Sequence, residues 1–154
     1  MIARDLMSTN LVVVPPEMPV AAIAELLAAR GISAAPVVDE AGALACMRHA
    51  QKKVVTVAID SMTFRQPIRI GDLIILNAEV TYTGKSSMEA EVHVVAENPV
   101  TGEQTHTNTA YLVYVALDDE GRPTSVPALI VDTEEERQRM EQAKERQQRR
   151  ISQK

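Results

Sequence analysis

Four strand-like segments follow one another along the chain, and this run constrains the fold more than any other feature. They are Val54–Met62, Leu73–Thr83, Met88–Glu97 and Thr105–Leu117. Turn-forming Gly, Pro, Asn and Asp residues separate them, so neighbouring segments are expected to pair as antiparallel strands. Apolar and polar side chains alternate in the third segment, which predicts one face on the core and one in water.

The segment before these strands, residues 39–50, places small and apolar residues on nearly every side of a helix. A helix of this kind is buried all round rather than amphipathic. One buried helix followed by four antiparallel strands predicts a sheet curled around a helix, and hence the α+β class. Cys46 lies among these small residues, so we expect a buried, unreactive thiol.

The two ends of the chain differ from this central part. Residues 1–38 combine a strand pattern at Leu11–Val14, a helical pattern from Pro19 to Gly31, and an apolar run at Ala34–Val38 that fits a strand or a helix start. Residues 132–154 carry six acidic and seven basic residues. Such charge runs favour a helix that faces water, with a partner-binding helix as the alternative. We therefore divide the chain into residues 1–38, 39–131 and 132–154.

The composition argues against several classes of function. The 154 residues have a net charge of −5 at pH 7 and only 3% are aromatic, whereas nucleic-acid-binding proteins carry basic patches and stacking aromatics. No apolar run approaches the roughly 18 residues of a membrane-spanning helix. Cys46 is the single cysteine, which excludes an intramolecular disulfide and suits a reducing compartment. We expect a cytoplasmic protein that binds neither nucleic acid nor membrane.

Common catalytic and metal-binding motifs do not occur in the sequence: it has no GxSxG, HExxH, P-loop or GxGxxG pattern. His49, His93 and His106 fall on different predicted elements and are expected to lie far apart. We therefore predict no metal site and no cofactor.

Asp39 is the exception, because it stands directly before a nearly uncharged segment where a buried charge needs partners. One interpretation is a helix N-cap, a position that Asp favours. The other is a general base or nucleophile at the edge of an apolar cleft, beside backbone N–H groups able to polarise a carbonyl. The residues alone leave both interpretations open.

From about Asp39 to the C-terminus, the chain resembles the hot-dog fold acyl-CoA thioesterases, which hydrolyse acyl-CoA to a free acid and CoA. The segments that carry the resemblance are Asp39–Ala45, Val54–Asp60, Phe64–Asp72, Tyr82–Met88, Ala116–Asp118 and Gly121–Pro123. The charged C-terminal helix also resembles that of family members.

The resemblance implies a sheet wrapped around a central helix, with active sites at the interface of a homodimer or larger homo-oligomer. It implies that Asp39 activates water or attacks the thioester carbonyl. The turn containing Lys85 would contact CoA, and a cation, hydroxyls and backbone N–H groups suit its phosphates. The substrate-binding residues expected from the resemblance are Gly42, Phe64, Gly84, Lys85, Ser86 and Ser87.

The N-terminal stretch departs from that family and is similar instead to the first half of a CBS domain. Asp-Leu-Met, Arg-Gly-Ile and Pro-Val-Val-Asp carry this second resemblance. CBS domains bind adenosyl ligands as a pair of repeats, so one half is not expected to bind them alone. The thioesterases have an Asn-containing loop and a Gly-Gly pair before the helix, and this sequence has no Asn between Leu11 and Asp39 and no Gly-Gly.

This departure has a consequence for activity. If Ala35–Val38 form a strand, Asp39 lies in a turn and an oxyanion donor is missing, which typically lowers the rate about 10²–10³-fold. If Ile32–Val38 join the helix, Asp39 lies within it and the site is retained. The resemblance therefore implies a thioesterase whose activity the loss of the loop would impair. Two alternatives are a non-catalytic module that senses acyl-CoA or adenosyl nucleotides, and a folded chimera without a ligand.

Overall fold

The computed structural model describes residues 38–152, which form two helices and four strands. In chain order they are α1 (Val38–Ala50), β1 (Lys53–Phe64), β2 (Leu73–Thr83), β3 (Ser87–Glu97), β4 (Gln104–Leu117) and α2 (Glu134–Ser152). The four predicted strands are confirmed, with ends that move by at most two residues. The patterns at Leu11–Val14, Pro19–Gly31 and Ala34–Val37 lie outside the described residues, and the division into three segments stays a prediction.

The strands form one antiparallel sheet in the order β1-β4-β3-β2. A tight turn joins β2 to β3, where the Gly84 N–H donates to the Ser87 carbonyl at 2.8 Å. Consecutive strands β3 and β4 pair in the centre, and the connection from β1 to β2 crosses to the opposite edge. β1 and β2 are therefore the two edge strands among the described residues.

Helix α1 packs across one face of this sheet, which we call the inner face. Its buried residues recur every fourth position: Val38, Gly42, Cys46 and Ala50. They meet the inward side chains of the central strands, among them Met88, Ala90, Val92, Leu112 and Tyr114. The α+β class and the sheet around a helix are thus confirmed, as is the burial of Cys46.

The expectation that α1 is buried all round is wrong for residues 38–152. Leu44 is 55% exposed and Met47 is 37% exposed. The physical reason is that the sheet covers a single side of the helix, and the described residues place nothing over the other sides. An apolar helix surface is left open in one copy of the chain.

The expectation that the second face of β3 is wet is also wrong. Glu89 and Glu91 are only 3% and 7% exposed on this outer face. Helix α2 lies across it with Ala143 fully buried, and the Arg146 guanidinium forms two hydrogen bonds to the Glu89 carboxylate at 2.7 and 3.1 Å.

The C-terminal helix is present, and most of its residues face water as predicted, but one side of it docks on the sheet. Three of its arginines pair with carboxylates on the sheet: Arg139 with Glu79, Arg146 with Glu89, and Arg150 with Asp60. The charge run docks because these acidic partners lie on the outer face. No helix in residues 38–152 is long and apolar enough to cross a membrane.

Candidate active site

Asp39 lies in the first turn of α1, is partly exposed, and accepts hydrogen bonds from two strands. The Thr56 hydroxyl on β1 lies 2.8 Å from Oδ1 and 3.0 Å from Oδ2 of Asp39. The Tyr114 hydroxyl on β4 lies 2.8 Å from the Asp39 backbone oxygen and 3.1 Å from Oδ1. One helix and two neighbouring strands thus fix the position of a single carboxylate.

Strand register explains why these two hydroxyls meet at one residue. Thr56 is paired directly with Tyr114 across β1 and β4, so both side chains leave the sheet on the same side, toward α1. Gly42, one turn beyond Asp39, lets the helix approach, because a Cβ there would overlap the Tyr114 hydroxyl and lie 3.1 Å from Cζ. The structure therefore places Gly42 in the packing of Tyr114, and its expected substrate contact stays a prediction.

The hydrogen bonds bear on the two interpretations of Asp39. Within residues 38–152, its carboxylate accepts from hydroxyls and from no backbone N–H of α1. It therefore does not act as a side-chain N-cap for the described helix. A partly exposed carboxylate held by two hydroxyl donors is an arrangement that can take a proton or attack a carbonyl.

The buried groups beside Asp39 stay protonated at neutral pH. Burial, together with the negative charge of Asp39 and the hydrogen bond to it, raises the pKa of Tyr114 well above its usual range. Tyr114 therefore remains a hydrogen-bond donor. Burial also raises the pKa of the Cys46 thiol to about 12, so this thiol is not an activated nucleophile.

The predicted CoA-contacting turn joins β2 to β3, and its backbone is held from several sides. The Lys85 carbonyl accepts from the Val126 N–H at 3.1 Å, and the Ser86 carbonyl accepts from the Ala116 N–H at 2.9 Å. The Ser87 hydroxyl lies 3.5 Å from Nε2 of Gln147 on α2. The Lys85 side chain is exposed. The turn therefore presents a cation to solvent from a fixed main chain.

The turn lies at the same end of the sheet as Asp39. Thr56, Tyr114 and Met88 form one row across β1, β4 and β3, and Met88 is the second residue of β3 after the turn. Adjacent strands are about 4.8 Å apart, so the row spans about 10 Å. Phe64, by contrast, is 73% exposed at the other end of β1, about 26 Å from Thr56 at about 3.3 Å per residue.

Two histidines that were expected to lie far apart are in fact neighbours. The rings of His93 and His106 have centroids 5.3 Å apart, because β3 and β4 pair antiparallel and bring these positions together. His93 Nε2 also lies 3.1 Å from Oε1 of Glu91. Residues 38–152 nevertheless contain no group of three or more His, Cys, Asp or Glu side chains arranged to hold a metal ion.

Sequence reasoning missed Thr56 and Tyr114. The available signal was weak: Tyr114 is one of three tyrosines in the chain and stands in an otherwise apolar, inward-facing stretch of β4. A buried tyrosine hydroxyl usually finds a polar partner. Asp39 was a candidate for the polar partner of Tyr114. Only the packing of α1 against β4 shows that these two residues meet.

Comparisons with known proteins assign a family to this geometry. Residues 34–103 match the model of the thioesterase superfamily, and residues 3–47 match the model of the CBS domain. The two matches overlap around Asp39, as the two resemblances in the sequence do.

Curated and solved relatives agree with the thioesterase match. The acyl-CoA thioester hydrolase YkhA of Bacillus subtilis, itself uncharacterised, is 39% identical over 99 residues, which is 64% of this chain and 58% of YkhA. An acyl-CoA hydrolase of Staphylococcus aureus, solved with butyryl-CoA, CoA and CoA disulfide, is 34% identical with a TM-score of 0.69, covering 84% of this chain and 74% of that one. A hexameric acyl-CoA thioesterase solved without ligand is 36% identical with a TM-score of 0.71, covering 93% and 88%.

Alanine variants of the S. aureus hydrolase have been solved at an asparagine, an aspartate and a threonine. Its aspartate and threonine are separated by 17 positions, as Asp39 and Thr56 are here. In the S. aureus hydrolase the asparagine stands 15 positions before the aspartate. The residue 15 positions before Asp39 in this chain is Ala24. On its fold and on these relatives, the chain belongs to the thioesterase superfamily, among the hot-dog acyl-CoA thioester hydrolases.

Proposed function

We propose that this chain hydrolyses fatty acyl-CoA thioesters to free acid and CoA, with Asp39 as the catalytic carboxylate. The observation that carries the proposal is the Asp39 carboxylate, partly exposed and held by the Thr56 and Tyr114 hydroxyls. The equal spacing of an aspartate and a threonine in the S. aureus hydrolase supports it. The chain spans 58% of the length of YkhA.

The site allows two routes to the same products. As a general base, Asp39 takes a proton from water, the resulting hydroxide attacks the thioester carbonyl carbon, and the C–S bond breaks. The CoA thiolate then takes up the proton. As a nucleophile, Asp39 attacks the carbonyl carbon itself and expels the CoA thiolate, and water then hydrolyses the anhydride. Both routes need an unprotonated Asp39 that points at the substrate.

The substrate would lie across the end of the sheet where Asp39 and the turn meet. The exposed Lys85 ammonium and the Ser86 hydroxyl suit the phosphates of CoA, about 10 Å across the sheet from Thr56. Gly42, Phe64, Gly84 and Ser87 complete the proposed substrate-binding set. This sequence has no Asn between Leu11 and Asp39 and no Gly-Gly pair, so we expect turnover about 10²–10³-fold below that of relatives with that loop.

We also propose that the chain works as a homodimer or larger homo-oligomer. Apolar side chains are exposed on the edge strand β1, at Val55, Val57 and Ile59, and on α1 at Leu44 and Met47. A second copy that covers them would remove the open strand edge. Sedimentation velocity should show a dimer or larger species, and Val57→Lys should shift it toward monomer. A wild-type monomer that retains full turnover would contradict this arrangement.

The experiment that tests the function follows free CoA thiol during incubation of the full chain with acyl-CoA thioesters from butyryl to palmitoyl. We expect many CoA molecules to be released per chain. Tight binding of the thioester without release would favour the non-catalytic sensing module, for which the missing loop is the supporting observation. If the chain neither binds nor hydrolyses the thioesters, the remaining alternative is a folded scaffold without a ligand. The single cysteine suits a cytoplasmic location for this activity.

A further inference from the structure

We infer that Tyr114 is a positioning residue for the proposed reaction: it fixes the Asp39 carboxylate against the helix so that Oδ2 is the oxygen that reacts. This inference rests on the proposed function and extends it to a residue in the core of the sheet.

The contacts of Tyr114 couple the main chain of Asp39 to its side chain. The hydroxyl lies 2.8 Å from the backbone oxygen and 3.1 Å from Oδ1, so a rotation of the carboxylate breaks one of these contacts. The Thr56 hydroxyl also lies closer to Oδ1 than to Oδ2. Two donors thus converge on Oδ1 and leave Oδ2 with fewer partners, free to meet water or the thioester.

The packing around the Tyr114 hydroxyl is built for this contact. The side chain is fully buried, and among residues 38–152 its hydroxyl bonds to Asp39 alone. A glycine inside a helix destabilises it relative to alanine, yet α1 has Gly42 at the position where any Cβ would overlap this hydroxyl. A phenylalanine would fill the same core volume, so the hydroxyl itself needs an explanation.

Tyr111 provides a matched control on the same strand. Its hydroxyl donates to the Glu91 carboxylate at 2.8 Å, but on the outer face of the sheet beneath α2. Burial, followed by the hydrogen bond to Glu91, raises the pKa of Tyr111 to about 12, so it too remains a donor at neutral pH. Tyr111→Phe and Tyr114→Phe each remove one hydroxyl that donates to a carboxylate, from opposite faces of β4.

The test compares kcat and KM for fatty acyl-CoA hydrolysis in the wild type, Tyr114→Phe and Tyr111→Phe, with folding checked by circular dichroism. We expect Tyr114→Phe to lower kcat about 10- to 100-fold, the scale of a misplaced reacting group, with KM within about 2-fold. Tyr111→Phe should leave both constants within about 2-fold. An unchanged kcat in Tyr114→Phe, or equal losses in the two variants, would overturn the inference.

Gly42→Ala gives a second and independent test. The added methyl should displace the Tyr114 hydroxyl and reproduce the loss in kcat while Tyr114 is still present. An unchanged kcat in Gly42→Ala would overturn the inference. A wild type without any turnover would instead overturn the proposed function, and the positioning role with it.

Discussion

Replacing Asp39 by asparagine should lower kcat for fatty acyl-CoA hydrolysis about 10²–10⁴-fold, the range for loss of a general acid–base group. Asparagine keeps an oxygen that accepts from Thr56 and Tyr114 but can neither take a proton from water nor attack the thioester. Folding should be preserved because the hydroxyl partners stay satisfied. The measurement is the initial rate of CoA release at saturating substrate.

Glu40 supplies the matched control for this prediction. It is the next residue of α1, carries the same charge, and is exposed. Glu40→Gln should leave kcat within about 2-fold, because a solvent-exposed charge at this distance from the reacting atoms is largely screened. If Asp39→Asn and Glu40→Gln have similar rates, the catalytic assignment of Asp39 is wrong.

The largest effect on stability is expected for Arg146→Met. Arg146 forms a bidentate pair with the buried Glu89 carboxylate, and its guanidinium carbon lies 3.9 Å from the centroid of the Tyr111 ring. The variant removes the arginine partner of the buried Glu89 carboxylate, which typically costs about 3–5 kcal/mol. Denaturant unfolding at fixed protein concentration should show this loss in the free energy of unfolding.

Arg139→Met is the control on the same helix. Arg139 pairs with Glu79, but these side chains are 40% and 60% exposed, and exposed pairs contribute about 0–1 kcal/mol. Adding Glu89→Leu to Arg146→Met should restore much of the lost stability, because it removes the uncompensated charge. Equal losses for Arg146→Met and Arg139→Met would show that α2 is not held by the buried pair.

The strands could be predicted because their signals are local. Alternation in Met88–Glu97 and the turn residues between segments give each strand its limits within one or two residues. The docking of α2 could not be predicted, since Arg146 and Glu89 are 57 positions apart and Arg150 and Asp60 are 90 apart. A charge run looks the same in sequence whether its partner is water or a distant carboxylate.

The candidate site was predicted only in part for a related reason. Asp39 stands out in the sequence because it precedes an apolar helical segment and lies within a family resemblance. Thr56 faces the helix because of its register with Tyr114, and two irregularities in β1 then change which side of that strand points inward. Simple alternation therefore does not predict which side chains of β1 face the helix. Nothing in the sequence distinguishes Thr56 from the other threonines in the strands.

The most direct test of the central claim is a crystal structure of Asp39→Asn with an uncleaved fatty acyl-CoA. We expect the thioester carbonyl carbon within about 3.5 Å of the residue 39 side chain, or linked to it through one water, with the CoA phosphates near Lys85. A thioester bound elsewhere on the protein, with no path through one water to residue 39, would contradict the account.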